Sequence, residues 1–134
     1  MSIDVVVDTH AIIWYFANDR QLSANARTYL QQAVNRGDSI AISSITFAEM
    51  VYLVEKQRID SQAFDRLVWV INQVNTNVVE IPVDHRIIGA MTQIARTDVP
   101  DLPDRIIAAT ALYLNVPLIR RDRKIQSSIV TTIW

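Results

Sequence analysis

Short runs of β-branched residues alternate with helical stretches along the chain, and this alternation constrains the fold more than any other feature. The first run, Ile3 to Val7, ends at Asp8 and predicts a buried strand. Further strands are predicted at 40–42, 78–83 and 117–119, with a β-rich ending over 128–134. Helices are predicted over 10–17, 46–57, 62–73, 84–95 and 103–114. One further helix is predicted to begin after Ser23, which serves as its N-cap. The alternation predicts an α/β fold of three α/β/α layers around a mostly parallel sheet.

Composition narrows the class of protein. A length of 134 residues suits one domain spanning 1–134. Only Gly37 and Gly89 are glycines, so no Gly-rich phosphate loop is present, and the absence of cysteine removes thiolate chemistry. The formal charge of −1 means that a polyanion must be met by a local patch or by bound metal. Acidic residues at 4 and 8 oppose a signal peptide, and no apolar run could span a bilayer. We therefore expect a cytoplasmic protein with no membrane partner.

Carboxylates follow several of the predicted strands. Asp8 ends the first strand, Glu49 lies in the helix after the second, Asp101 and Asp104 open a later helix, and Asp122 follows the fourth strand. Because ligands bind beyond the carboxyl ends of parallel strands, these acids are expected at one sheet edge. Crowded carboxylates repel one another, and oxygen-only ligands favour Mg²⁺ or Mn²⁺ as the cation that relieves the repulsion.

Each acid also has a purely structural interpretation. Asp8 can cap the following helix, and the stretch from Thr46 to Glu49 fits an S/T-x-x-E capping box. Asp101 and Asp104 suit the start of a helix. Asp122 can offset the basic residues around it. None of these interpretations predicts that the acids meet at one edge.

Four segments carry a resemblance to a known family. They are Asp8-Thr9-His10-Ala11-Ile12-Ile13-Trp14, the stretch from Ile42 to Glu49, the stretch from Asp101 to Ala111, and the ending Val130-Thr131-Thr132-Ile133-Trp134. Together, and in this order, they resemble PIN-domain proteins, most closely the VapC-type ribonuclease toxins of bacterial toxin–antitoxin pairs. The resemblance implies a PIN-like α/β/α fold and a Mg²⁺- or Mn²⁺-dependent endoribonuclease.

The resemblance also implies roles for individual residues. Asp8, Glu49 and Asp104 occupy the three best-defined acidic positions of the family, and Asp122 falls at a fourth, more variable one. Asp101 matches an extra acidic position, and Thr9 is placed to steady a carboxylate or a bound water. The chain departs from the family pattern at Arg120, where a small hydroxyl residue is usual, and at Ala48, where an aromatic residue is common.

Basic and apolar residues suggest partners. Arg120, Arg121, Arg123 and Lys124 either contact RNA phosphates or form a solvated basic loop. Arg105 is expected to pair with a carboxylate, and His10 to pack beside Trp14 outside the chemistry. Two apolar stripes are predicted core faces that can also form a groove for a partner helix; they comprise Met50, Val51, Leu53 and Val54, and Phe64, Leu67, Val68 and Ile71. The resemblance implies that a small antitoxin covers this groove and places a basic side chain among the acids, and that the chain forms a homodimer.

Two other functions account for parts of the sequence pattern. A phosphotransfer enzyme with Asp8 as nucleophile is disfavoured, because a dehalogenase-type site needs a second aspartate at position 10, where His10 stands. A non-catalytic PIN-fold module that binds RNA or protein stays open, and only activity separates it from a nuclease.

Overall fold

The fold is a five-stranded sheet between two layers of helices. The computed structural model describes residues 2–121 and 129–134. The strands are β1 (Ile3–Val7), β2 (Ser39–Ser43), β3 (Val78–Ile81), β4 (Leu118–Ile119) and β5 (Thr132–Ile133). The helices are α1 (Thr9–Ala17), α2 (Ala24–Asn35), α3 (Ser44–Glu55), α4 (Ser61–Ile71), α5 (His85–Met91) and α6 (Leu102–Leu114). The predicted alternation of strands and helices is confirmed.

The strand order creates a switch point beside β1. The sheet runs β3-β2-β1-β4-β5, and every strand pair is parallel. The chain moves outward from β1 through β2 to β3, and then returns to place β4 on the other side of β1. Such a reversal opens a crevice at the carboxyl ends of the two strands that flank it. Asp8 follows β1 and Arg120 follows β4, so both lie at this crevice.

Side-chain alternation on the central strands divides the core between the two faces of the sheet. Val5 and Val7 pack with Ile12, Leu30 and Met50 from one layer of helices. Val6 points to the opposite face and packs with residues of α5 and α6, including Ile87 and Ile107. Successive residues of a strand face opposite ways, so a strand buried on both faces must be apolar throughout, as Val5, Val6 and Val7 are. The predicted three-layer arrangement is confirmed.

Helix starts follow the predicted caps with one exception. Ser23 accepts a hydrogen bond from the backbone N–H of Ala26, and Asp84 caps α5, as expected. The capping-box interpretation of Thr46 is wrong, because α3 begins at Ser44 with Ser43 as its N-cap. Thr46 is therefore the third residue of α3, and its hydroxyl is buried and available for a tertiary contact.

Several element ends differ from the predicted bounds, and the structure gives a cause for two of them. Strand β3 stops at Ile81 rather than position 83, because Pro82 has no N–H to continue the ladder. Helix α5 stops at Met91 rather than position 95, and the carbonyls of Met91 and Ile94 instead accept hydrogen bonds from Arg105. Within residues 2–121 and 129–134, no helix combines the length and apolar character needed to cross a membrane.

Candidate active site

The predicted acids line one open cleft at the switch point. Asp8, Glu49, Asp101 and Asp104 share its wall with Arg120, and the cleft has a volume of about 540 Å³. They come from the end of β1, the second turn of α3 and the start of α6, as the parallel sheet requires. Asp122, Arg123 and Lys124 lie outside the described residues, so their predicted roles stay predictions.

Asp8 serves both as a helix cap and as a wall of the cleft. Its Oδ1 accepts a 2.9 Å hydrogen bond from the N–H of Ala11, which confirms the capping interpretation. Burial raises the pKa of Asp8 to about 7, against the opposing effects of the Ala11 hydrogen bond and the nearby Arg120 charge. The charges of Asp104 and Glu49 add to the rise. A capping role alone does not require a carboxylate beside two others, so the cap is compatible with a further role for Asp8 in the cleft.

Two buried threonines orient Glu49. The hydroxyl of Thr9 donates to Glu49 Oε1 at 2.5 Å, and Thr9 Oγ1 lies 3.1 Å from Thr46 Oγ1. Because Thr9 has a single hydroxyl proton, its bond to Glu49 leaves Thr46 as the donor to Thr9. Burial raises the pKa of Glu49, and the Thr9 hydrogen bond opposes that rise. The relay from Thr46 through Thr9 to Glu49 therefore fixes the carboxylate at the cleft.

The fourth strand delivers an arginine into the acidic cleft. Arg120 is 7 % exposed, and its guanidinium donates a 2.9 Å hydrogen bond to Asp104 Oδ2. The interpretation of Arg120 as part of a solvated basic loop is wrong, because the residue follows β4 directly and faces the acids. Burial raises the pKa of Asp104, the Arg120 charge opposes this rise, and the adjacent Asp101 carboxyl adds to it. Asp101 occupies the N-cap position of α6 without a capping hydrogen bond, and its side chain is exposed at the cleft.

Another part of the cleft lining is aromatic and basic. His10, Trp14 and Arg121 form it, with the His10 and Trp14 rings 5.6 Å apart. The predicted position of His10 beside Trp14 is confirmed, but His10 is exposed at the cleft and was not predicted to belong to the site. Their spacing of four residues on α1, starting two residues after Asp8, was a usable signal, because such residues share one helix face. Burial lowers the pKa of His10, and the charges of Arg121 and Arg58 lower it further.

Arg105 has a structural role instead of the predicted pairing with a carboxylate. Its guanidinium donates to the backbone carbonyls of Ile94 at 3.0 Å and of Met91 at 3.3 Å. These carbonyls lie at and just beyond the end of α5, where the regular helical hydrogen bonds stop. Arg105 therefore fastens α6 to the end of α5, and it is absent from the lining of the cleft.

The oxygen donors of the cleft fit a small divalent cation. Burial raises the pKa values of Asp8, Glu49 and Asp104, and the positive charge of Arg120 opposes the rise in each. Within the described ranges, no three acidic or imidazole groups already enclose an ion-sized space. Mg²⁺ commonly keeps several waters and takes one or two carboxylates plus substrate phosphates, so an incomplete protein cage suits it.

Helices α1, α3 and α4 leave an apolar surface away from the cleft. Met50 and Leu67 are buried as predicted for core positions, but Val51 and Tyr52 are 45 % and 65 % exposed. The prediction that Val51 is a core residue is therefore wrong. Val51 borders a shallow depression with Val54 and Phe64, so part of each predicted stripe forms a groove.

The parallel sheet and the acids at its switch point define a PIN domain. Residues 5–128 match the PIN domain family, and the chain belongs to it. It is a homologue of the VapC ribonuclease toxins, with 28 % identity over 123 residues to Ribonuclease VapC22 of Mycobacterium tuberculosis. That match covers 92 % of this chain and 90 % of the relative. The resemblance stated from the sequence is thereby confirmed.

Solved structures support the same fold. VapBC2 from Rickettsia felis, bound to a promoter DNA fragment, is similar with a TM-score of 0.71 and 18 % identity, covering 99 % of this chain and 98 % of that one. A toxin–antitoxin complex from Klebsiella pneumoniae gives a TM-score of 0.66 at 23 % identity, covering 98 % and 97 %. VapBC-1 from nontypeable Haemophilus influenzae gives a TM-score of 0.64 at 21 % identity, covering 99 % of this chain and 97 % of that one.

Proposed function

We propose that the protein is a Mg²⁺- or Mn²⁺-dependent endoribonuclease and the toxin of a toxin–antitoxin pair. The observation that carries the proposal is the meeting of Asp8, Glu49 and Asp104 in one cleft at the switch point of the sheet. The kinship with a protein named as a ribonuclease supports RNA as the substrate.

Four carboxylates are proposed to share metal binding and proton transfer. Asp8 and Asp104 are the proposed metal contacts, and Asp122 the proposed fourth acid. When bound, the divalent cation supplies charge stabilisation for the phosphate and acidifies a water molecule. Glu49 acts as a ligand or as the base that accepts a proton from the attacking water, and the Thr9 hydroxyl holds its orientation. Asp101 adds a further negative charge to the lining of the cleft.

Basic residues at the end of β4 are proposed to receive RNA. Arg121 is exposed at the cleft, and Arg120 lies deeper beside Asp104. With Arg123 and Lys124 they are proposed to contact RNA close to the cut, and their positive charge should make RNA binding weaken as the salt concentration rises. A chain of net charge −1 needs such a local patch.

RNA cleavage is the direct test of the nuclease proposal. Wild-type protein with Mg²⁺ or Mn²⁺ should cut members of a panel of structured RNAs, and EDTA should stop cutting. The cleavage rate of Asp8→Asn should be about a hundredfold or more below that of wild type, because loss of a metal ligand removes charge stabilisation. Asp65→Asn, an exposed aspartate on α4, is the matched control and should cut normally. Equal cutting by Asp8→Asn indicates a contaminating nuclease, and binding without cutting favours the non-catalytic module.

The toxin role depends on the groove beside α3. The similar structures include toxin–antitoxin complexes, so we propose that a small antitoxin lays an apolar helix against Val51, Val54 and Phe64. Induced expression of the protein alone should arrest growth, and coexpression of a small adjoining reading frame should restore it. Val51→Asp should escape this rescue while retaining cleavage. Rescue of Val51→Asp at wild-type strength contradicts the groove assignment.

Several expectations about the whole protein stay predictions. The single domain over 1–134 should unfold in one cooperative transition. Homodimerisation should double the mass seen by light scattering. A cytoplasmic location should be visible by fractionation.

A further inference from the structure

A cationic and aromatic wall forms part of the lining of the cleft that contains the acids. The Arg121 guanidinium lies over the Trp14 ring, 5.5 Å from its centroid, and the His10 ring lies 5.6 Å from the same indole. All three residues line the cleft that contains Asp8 and Glu49. Neither a metal site nor a phosphate contact requires these planar side chains to lie together.

Trp14 anchors the wall to the core. It is 8 % exposed, belongs to the apolar core beneath α1, and meets Trp134 edge-on at 6.1 Å. Its ring therefore cannot swing into the cleft without disturbing the core. Arg121 and His10 are exposed, so they are the surfaces of the wall that a ligand reaches.

We propose that His10, Trp14 and Arg121 form a stacking subsite for one unpaired nucleobase beside the phosphodiester bond held by the acids. This inference rests on the proposed ribonuclease function and adds a substrate feature to it. Proteins read single-stranded RNA by stacking splayed bases on aromatic rings and on guanidinium planes. A cleft of about 540 Å³ has room for a nucleotide next to a metal-bound phosphate.

A base fits this wall better than a second phosphate does. A phosphate contact uses the charge and the N–H donors of an arginine, and it does not need an aromatic ring against the guanidinium. Here the indole of Trp14 holds the guanidinium of Arg121 in place by a cation–π contact, which favours a planar partner on the exposed side. The subsite consequently selects an unpaired nucleotide and excludes a base locked in a duplex.

The test uses RNA that cannot be cut. Fluorescently labelled 2′-O-methyl hexamers, either intact or with one abasic residue at each position in turn, are titrated with wild-type protein in EDTA. We expect one abasic position to weaken binding by about tenfold, the size typical of a lost base–aromatic stack. Equal binding of intact and abasic oligomers, or binding of neither, overturns the proposal.

Arg121→Lys separates stacking from charge. This exposed substitution keeps the positive charge and loses the plane, so it should abolish most of the discrimination against the abasic position. The dependence of binding on salt should stay unchanged, because the number of charges is unchanged. Arg36→Lys, at the opposite edge of the sheet, is the matched control and should behave as wild type. Full discrimination by Arg121→Lys overturns the proposal.

The stacking subsite and the nuclease activity can be disproved separately. If wild-type protein distinguishes intact from abasic oligomers but cuts no RNA, the stacking subsite is supported and the nuclease proposal is wrong. Wild-type protein that cuts RNA but binds every abasic oligomer like the intact one keeps the nuclease and loses the subsite.

Discussion

The guanidinium of Arg120 lies 2.9 Å from Asp104 Oδ2 inside the acidic cleft. The N–H of Arg120 donates to the carbonyl of Ile133 in the neighbouring strand, so the residue is held at its base by the sheet. Its charge also opposes the rise in the pKa values of Asp8 and Glu49. Arg120 is therefore an internal counter-cation for three acids, at a position where PIN domains of this kind usually carry a small hydroxyl residue.

Replacing Arg120 should weaken the metal-free fold and strengthen metal binding. Arg120→Gln leaves Asp104 without its ionic partner and should lower the free energy of unfolding in EDTA by about 1–3 kcal/mol. Removal of a nearby positive charge should tighten Mn²⁺ binding by about tenfold. Denaturant melts and calorimetric titration measure the two effects. Arg120→Lys keeps the positive charge and should show neither effect in full. Unchanged Mn²⁺ affinity in a folded Arg120→Gln protein would contradict the idea that Arg120 and the metal ion compete for the same acids.

Residues at strand ends could be placed from the sequence, whereas inward-facing basic residues could not. Asp8 was predictable because the β-branched run before it predicts a parallel strand, and parallel strands end at one edge. Arg120 sits in a run of basic residues whose pattern looks like a solvated loop. Its direction depends on the pairing of the two-residue strand β4 with β1 and β5, which the local sequence does not encode.

The sequence did not predict the contact from Thr46 through Thr9 to Glu49, because Thr46 also fits a capping box. Ser43 and Thr46 both precede Glu49 and both suit a helix cap. The choice between them depends on where β2 ends, and Ser43 is the last residue paired with β3, opposite Ile81. Tertiary pairing thus assigns the cap to Ser43 and leaves Thr46 to contact Thr9.

Removing the Thr9 hydroxyl should impair catalysis through Glu49. Thr9→Val preserves shape but deprives Glu49 of its donor, and loss of such a supporting contact typically costs about 10- to 100-fold in activity. The Thr9 bond holds the Glu49 pKa down, so its loss should raise that pKa further. The acid limb of the pH–rate profile should therefore move to higher pH. Thr9→Ser restores a hydroxyl and should restore most activity; a normal profile for Thr9→Val argues against the relay.

Arg105 should matter for stability rather than for chemistry. Arg105→Gln loses the bonds to the carbonyls of Met91 and Ile94 and should reduce the free energy of unfolding by about 1–3 kcal/mol. Cleavage measured well below the melting temperature should match that of wild type. A loss of activity in the folded Arg105→Gln protein, with unchanged melting, indicates instead a role at the cleft.

The raised pKa of Asp8 sets the pH dependence of both stability and metal binding. Its pKa is about 7 in the folded protein and near the ordinary 3.8 in the unfolded chain, so the folded state retains a proton that the unfolded state releases. This contribution to stability is complete below about pH 4 and is lost as the pH rises through about 7.

A cation competes with the same proton on Asp8, so metal affinity should increase by about tenfold per pH unit up to about pH 7 and then level off. Asp8→Asn should melt a few degrees higher than wild type in EDTA at about pH 8, with little difference at about pH 4, while Asp65→Asn should follow wild type throughout. Melting curves across this range and Mn²⁺ titrations at three pH values provide the measurement, and a pH-independent Mn²⁺ affinity would remove Asp8 from the set of metal ligands.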